Sequence, residues 1–282
     1  MMFGLNDSFL YSHCHNCGSI WIDNVPENLD KFYPPSYYSF DKSGEENALK
    51  KNLKKWRFKM HKKGFSFKPP QYFDWIDRLE LDVDDSIADI GCGDGILLKQ
   101  LKYCGFENLL GFDPFIGNET ILNGLKIKKL PFEEISGFFD CIMFHHSFEH
   151  LEDPLRVFEK IAQILKPDGK ALIRTPVSGS LVWEEEKENW FQLDAPRHLF
   201  IPSVKGMQIL AQNSGLELFL VLFDSLDTQF SITELYKRGI PLVKQNPQKE
   251  FSKRELNSFV KRAEKVNRIR RGDQAAFYFR KL

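Results

Sequence analysis

Three short stretches hold the residues best suited to chemistry. The first is DIGCGDG, with Asp89, Gly91, Gly93 and Gly95 in the form D-x-G-x-G-x-G. Glycines allow a tight turn with positive φ and let backbone approach a ligand closely. A dinucleotide fingerprint beginning at Gly91 would need glycine at position 96, which is Ile96. The motif follows a short apolar segment, SIADI, and opens a helical pattern, ILLKQLKYC. That context makes a glycine motif informative. Asp113 stands eighteen residues past Gly95, at the end of the next apolar segment, NLLGFD. A carboxylate there can accept hydrogen bonds from two ribose hydroxyls.

The second stretch is HHSFEHLEDP, where His146–His150 reads H-x-x-E-H. One group of zinc metalloproteases uses this pattern, with two His a helical turn apart and a Glu as base, and needs a third ligand. The third is DAPRHLF, residues 194–200, in a long connection that also carries Trp183, Trp190 and Phe191. Long loops with aromatic and charged residues often carry function. His198 is the first candidate general base and His146 the second, because imidazole titrates near neutrality. Arg197 suits a phosphate or carboxylate of a substrate, and Trp190 a substrate surface. Cys14 and Cys17 form a CxxC beside His13 and His15, but a structural zinc takes four ligands, usually as two pairs. No metal ligand is assigned.

These groups need a scaffold. SIADI (86–90), NLLGFD (108–113), LKIKKL (125–130), FDCIMFHH (139–146) and KALIRT (170–175) read as strands alternating with helices, and LELFLVLF (216–223) and QAAFYFRKL (274–282) as late strands. Helices are predicted at about 154–165, at 202–215 with Ser203 as N-cap and Gly215 beyond its end, and along the stripe Leu256, Phe259, Val260, Ala263, Val266. Alternation of this kind implies a parallel sheet with helices on both faces. Residues 42–68 hold ten Lys or Arg against two Glu, with Leu49, Leu53, Trp56 and Met60 at helical spacing. The pattern predicts a basic amphipathic helix whose apolar stripe packs on the main domain and whose lysines are solvated; the sharper reading is a docking face for an acidic substrate or an anionic membrane surface.

Hydrophobic residues make up 42% of the 282 and charged residues 28%, the balance of a globular chain. Formal net charge is zero, so bulk charge points to neither nucleic acid nor membrane. Five Cys at irregular spacing argue against a disulfide framework. No signal-peptide pattern and no run long enough to span a bilayer are seen, so a cytoplasmic location is expected.

DIGCGDG followed by GFD resembles the first two motifs of class I S-adenosylmethionine-dependent methyltransferases, and the likeness runs over about residues 83–282. It is nearest to a branch with an N-terminal zinc-ribbon-like segment, whose members often modify sugars or glycan precursors. KFYPPSYYSF and NWFQLDAPRHLFIPS carry that likeness; the ubiquinone-pathway O-methyltransferases are a more distant match. The resemblance implies a Rossmann-like, seven-stranded, mostly parallel α/β sheet with an antiparallel last strand. It divides the chain into a degenerate zinc-ribbon-like segment (1–41), a basic helical segment (42–82) and a methyltransferase domain (83–282). It implies S-adenosylmethionine as cofactor and S-adenosylhomocysteine as product. Gly91 and Gly93 would line the methionine part with Asp89 near its amino group. Asp113 would hold the ribose, Leu130 flank the adenine, and His145 and His146 lie beside the methionine moiety. The related N-terminal segment normally has a second CxxC upstream, which this chain lacks. In the ubiquinone-pathway relatives the turn reads E-x-x-E-H and can hold a divalent cation; His146 replaces the first Glu here. The expected substrate is a small molecule, a nucleotide-linked sugar or glycan precursor, with no nucleic acid and no stable membrane association. A non-catalytic scaffold of the same fold, and a zinc hydrolase, are the alternatives.

Overall fold

The structure is a computed structural model that describes residues 7–33, 47–65, 68–122 and 124–282. The Tyr/Pro-rich run past Tyr33 and the start of the basic segment, residues 34–46, lie outside the described residues. Two short strands open the chain, β1 (Tyr11–His13) and β2 (Ile20–Ile22), followed by helices α1 (Ala48–Lys62) and α2 (Gln71–Arg78). The main domain then runs β3 (Ser86–Ile90), α3 (Ile96–Cys104), β4 (Asn108–Phe112), β5 (Thr120–Leu122), β6 (Leu125–Lys128), β7 (Phe139–His145), α4 (Pro154–Ile164) and β8 (Leu165–Pro176). After it come α5 (Leu181–Glu186), β9 (Phe200–Ile201), α6 (Val204–Asn213), β10 (Leu216–Phe223), α7 (Thr228–Lys237), α8 (Pro247–Glu250), α9 (Lys253–Arg268) and β11 (Gln274–Lys281).

The large sheet has the order β10-β11-β8-β7-β3-β4-β6-β5. β8, β7, β3, β4 and β6 are parallel to one another, while β11 is antiparallel to both β8 and β10. The seven expected strands are present, and the eighth, β5, is a three-residue antiparallel edge against β6. β5 carries no alternation long enough to be read from sequence. β3 follows SIADI residue for residue, because buried parallel strands are near-continuous apolar runs. Helix ends follow local chemistry. Gly105 closes α3 at φ +110°, Ser203 caps α6 by accepting from the Gly206 N–H, and Ser252 and Glu255 form a capping box on α9.

Two apolar layers cover the sheet. One packs α4 and α6 against it through Phe158, Ile161 and Met207; the other packs α2 and α3 through Phe73, Ile76, Leu98 and Leu101. The N-terminal segment is not a free module. β1 pairs with β2, and β2 pairs with β9 (Ile20↔Ile201), which makes a small three-stranded sheet with the loop of the main domain. Ser203 Oγ donates to the Cys17 carbonyl, and Ser178 Oγ to the Gly18 carbonyl at 2.6 Å.

The basic helix differs from its expectation in one respect. α1 forms, but it packs on the domain through Phe58, which is 4% exposed. The stripe of Leu49, Leu53 and Trp56 points the other way and is exposed. Phe58 lies half a turn round the helix from that stripe at 100° per residue. The Phe58 ring meets Phe73 and Phe106 and is the buried apolar anchor of the helix.

Candidate functional site

The carboxyl ends of β3, β4 and β7 enclose an open cavity of about 890 Å³, its mouth included. Its floor is the glycine turn. Gly91, Gly93 and Gly95 have φ of +69°, +52° and +70°. A Cβ on Gly91 would come 2.4 Å from the Ser147 Cβ. Only glycine lets the turn pass under the β7 end, where Ser147 Oγ donates to the Ile90 carbonyl at 2.6 Å. Asp113 stands on the wall. Its carboxylate accepts from the Gly93 N–H at 3.0 Å and the Phe115 N–H at 2.8 Å, which fixes its direction. Leu130, Pro131, Phe132, Phe115 and Leu151 give an apolar slot beside it. Tyr33 stacks on Phe115 with ring centroids 5.4 Å apart. Asp89 lies behind the turn, and burial, followed by the Asp113 charge, pushes its carboxyl up to about 8.

His146 lines the same cavity with φ +55°, a left-handed conformation rare for a non-glycine residue. Such strain gathers at functional sites. Its Nδ1 faces Glu149 Oε1 at 3.4 Å and its Nε2 faces the Arg174 guanidinium at 3.1 Å. Glu149 is wholly buried, and Thr175 Oγ1 donates to its other oxygen at 3.0 Å. Burial raises the Glu149 carboxyl, but the His146 contact and the neighbouring imidazoles outweigh that and hold it below its ordinary value.

A polar cluster adjoins His146 on the α2 side, and sequence reasoning missed it. Arg174 Nε donates to Asp224 at 2.5 Å, and Gln71 and Gln274 donate to the same carboxylate at 2.8 and 2.7 Å. The Arg174 guanidinium lies 5.7 Å from the centre of the Trp75 ring. The signal was available. β8 and β10 run parallel to each other because both are antiparallel to β11, so Arg174 and Asp224 lie at the edge where such sheets bind ligands.

Asp89 and Gly93 are not on the cavity lining, and four further expected site residues do not face it. His145 points to the opposite side of β7 from the cavity wall and packs on Trp75, ring centroids 4.4 Å apart. Alternation along a strand sends neighbours to opposite faces. Trp190 is 1% exposed and its indole N–H donates to Asp273 at 3.0 Å, so it is a core residue. Arg197 is buried and forks onto Asp194, with Nε to Oδ2 at 3.0 Å. His198 is buried too. Its Nδ1 meets the Gln192 carbonyl at 2.7 Å, and desolvation lowers it to about 4, so it is neutral at pH 7. These three build the loop rather than line the cavity.

The H-x-x-E-H pattern does not form a helical zinc motif. His146 is left-handed and residues 148–150 make one 3-10 turn. A different group can hold a cation: Glu149, His150 and His198 each bring one ligand atom within 4.8 Å of the others. The Arg197 and Gln192 carbonyls lie at 2.8 and 2.7 Å from the two Nδ1 atoms, which leaves both Nε2 lone pairs free for a metal. Cys17 turns back on Cys14, its N–H 3.5 Å from the Cys14 Sγ.

Residues 64–221 match the family model described as a methyltransferase domain. The tRNA U34 carboxymethyltransferase of Campylobacter curvus is 24% identical over 65% of this chain and 67% of its own length. The ubiquinone biosynthesis O-methyltransferase of Dechloromonas aromatica is 27% identical over 39% of this chain and 54% of its own. The chain thus spans about half to two thirds of these relatives. A putative methyltransferase of Haloferax volcanii, solved in complex with a methyltransferase activator, aligns with a TM-score of 0.50 at 17% identity, over 84% of this chain and 98% of that one. The family match covers more than half of the sequence and includes the glycine turn, Asp113 and the His146 turn: this chain belongs to the methyltransferase-domain family and is an S-adenosylmethionine-dependent methyltransferase.

Proposed function

We propose that the enzyme methylates a hydroxyl of a polar small molecule, a nucleotide-linked sugar or related glycan precursor, with His146 as general base. The observation that carries this is the His146–Glu149 pair on the cavity wall. With its Nδ1 proton directed at Glu149 Oε1, 3.4 Å away, the imidazole keeps Nε2 as its basic nitrogen. Arg174 lies at Nε2 and donates to it in the absence of acceptor. An acceptor hydroxyl would take the place of that contact and pass its proton to Nε2. The buried Glu149 carboxylate stabilises the imidazolium so formed. Arg174, Gln71 and Asp224 offer donors and an acceptor to hydroxyls or a phosphate, and Trp75 offers an apolar ring face. The two curated relatives have names that point to different acceptors, a tRNA and a ubiquinone precursor. A chain of zero formal charge favours the small molecule over the polyanion.

The residues present fit the cofactor. Gly91 lines the cavity where a Cβ would strike Ser147, Asp113 offers a directed carboxylate, and burial with the Asp113 charge holds the Asp89 carboxyl high. Gly91, Gly93, Asp89, Asp113 and Leu130 would hold it. Bound there, S-adenosylmethionine supplies an electrophilic methyl group and a cationic ammonium and sulfonium. Asp89 then has a proton to lose. With an apo value of about 8 it is mostly protonated at pH 7, and a cation beside it favours the ionised form. Binding at pH 7 should therefore release up to about 0.9 proton, and affinity should rise with pH until about 8. Calorimetry in two buffers of different ionisation enthalpy measures the release; Asp89→Asn should abolish it. Uptake, or no exchange, contradicts the assignment.

Acceptor identity is tested with labelled S-adenosylmethionine and purified enzyme. Nucleotide-linked sugars should gain label on oxygen, located by mass spectrometry. Label entering only tRNA, or only a lipid quinol, refutes the small polar acceptor.

A further inference from the structure

We infer that the outer face of α1 is an interfacial anchor that seats the enzyme on an anionic phospholipid surface. From Ala48 to Lys62 the helix carries seven Lys or Arg and no Asp or Glu. Leu49, Leu53 and Trp56 are 81%, 60% and 59% exposed, although α1 is already held to the domain through Phe58 on the opposite side. At 100° per residue, Leu49, Leu53, Trp56 and Met60 fall within one narrow stripe. Lys50 and Arg57 flank it on one side, and Lys59 and Lys63 on the other; all four are exposed. Arg57 also donates to the Lys68 carbonyl, whereas the cations on the inner side meet the main domain. Lys54 Nζ donates to Gln100 at 2.6 Å, and Lys62 lies 3.9 Å from Asp77. The two faces are thus built for different neighbours.

The chemistry of the outer face selects the occupant. Leucines and an indole gain by leaving water for the acyl boundary, while lysines and arginine at their flanks reach phosphates at headgroup level. A nucleic acid would use the cations but leave the leucines wet, and a protein partner would need acidic groups around a complementary apolar groove. The stripe spans about 16 Å along the axis, and Phe65, 70% exposed, follows its carboxyl end. No helix among the described residues is long and apolar enough to cross a membrane, so the association is peripheral. It replaces the expectation of no stable membrane association and is independent of which acceptor the enzyme uses. His61 Nε2 meets Asp77 at 2.6 Å and thereby joins α1 to α2, the helix that carries Trp75 and Gln71 at the polar cluster.

The test is co-sedimentation of the full chain with vesicles of phosphatidylglycerol and phosphatidylcholine in equal parts, against phosphatidylcholine alone. The protein should sediment with the anionic vesicles only. Partitioning should fall by about tenfold or more in a Leu49→Ser/Leu53→Ser/Trp56→Ser variant, and in a Lys50→Glu/Arg57→Glu/Lys59→Glu/Lys63→Glu variant. Calorimetric binding of S-adenosylmethionine by both variants verifies that they fold, because α1 contributes nothing to that cavity. If a variant does not fold, a single Trp56→Ser change must still weaken partitioning. Failure of the native protein to sediment, or partitioning untouched by the stripe substitutions, overturns the proposal. So does a concentration-dependent dimer that the stripe variant abolishes, since a second copy would then be the occupant.

Discussion

His146→Ala should lower kcat by about 10² to 10⁴ while the dissociation constant for S-adenosylmethionine changes by only a few fold. The loss falls on kcat because the imidazole works on the acceptor proton, whereas the ribose and methionine sites remain. His146→Gln should lose as much, since an amide keeps hydrogen bonding but takes no proton. Glu149→Gln should lose less catalysis than His146→Ala but more stability, because it replaces a buried charge that faces three imidazoles. His198→Ala is the decisive contrast. His198 was the first candidate from sequence, yet it is buried behind the loop. Substituting it should reduce thermal stability and leave kcat of the remaining folded enzyme within about tenfold. Steady-state and single-turnover kinetics on the four variants measure all of this. If His198→Ala loses kcat as far as His146→Ala does, with its melting temperature preserved, the assignment of the base is wrong.

Asp113→Ala should weaken S-adenosylmethionine binding by about 10² fold or more, equivalent to about 2.7 kcal/mol. Two effects add. The carboxylate is the directed acceptor for ribose hydroxyls, and it also pins the Gly93 and Phe115 N–H groups. Removing it frees the turn as well as the ligand contact. Asp113→Asn keeps one acceptor oxygen and should lose less. Calorimetric titration with S-adenosylhomocysteine avoids turnover and measures the step directly. A change of less than about threefold for the alanine variant would place the ribose elsewhere.

Most of the large sheet was legible because its strands are buried on both faces and read as unbroken apolar runs. SIADI and LELFLVLF became β3 and β10 without a shift of boundary. The glycine turn and Asp113 were legible because their spacing in a strand–turn–helix context leaves few alternatives. What failed was everything that depends on direction. His145 and His146 are adjacent, and only the register of β7 decides which of them meets the cavity. Trp190, Arg197 and His198 looked functional because polar and aromatic residues crowd a long loop. Their partners Asp273, Asp194 and the Gln192 carbonyl turned that crowding into structure. Asp273 is 83 residues from Trp190, a separation no local pattern reveals. The α1 stripe failed in the same way. Periodicity identified the apolar face, but Phe58, a single residue on the other side, decided which face turned inward.

The small sheet of β1, β2 and β9 ties the first strands to the loop that bears His198. Tyr11 Oη donates to the His198 carbonyl at 2.9 Å, the Ile22 N–H to the Leu199 carbonyl at 3.0 Å, and the Leu199 N–H to the Glu149 carbonyl at 2.7 Å. A chain of hydrogen bonds therefore runs from the N-terminal hairpin to the backbone of Glu149, whose carboxylate faces His146. The boundary of the matched family region, at residue 64, is consequently not a boundary of cooperative unfolding. The hairpin, the 190–203 loop and the His146 turn should exchange their amide hydrogens as one unit, slow together and lost together. Evolutionary modularity and mechanical modularity part company in this molecule, and the N-terminal hairpin holds the His146 turn in register.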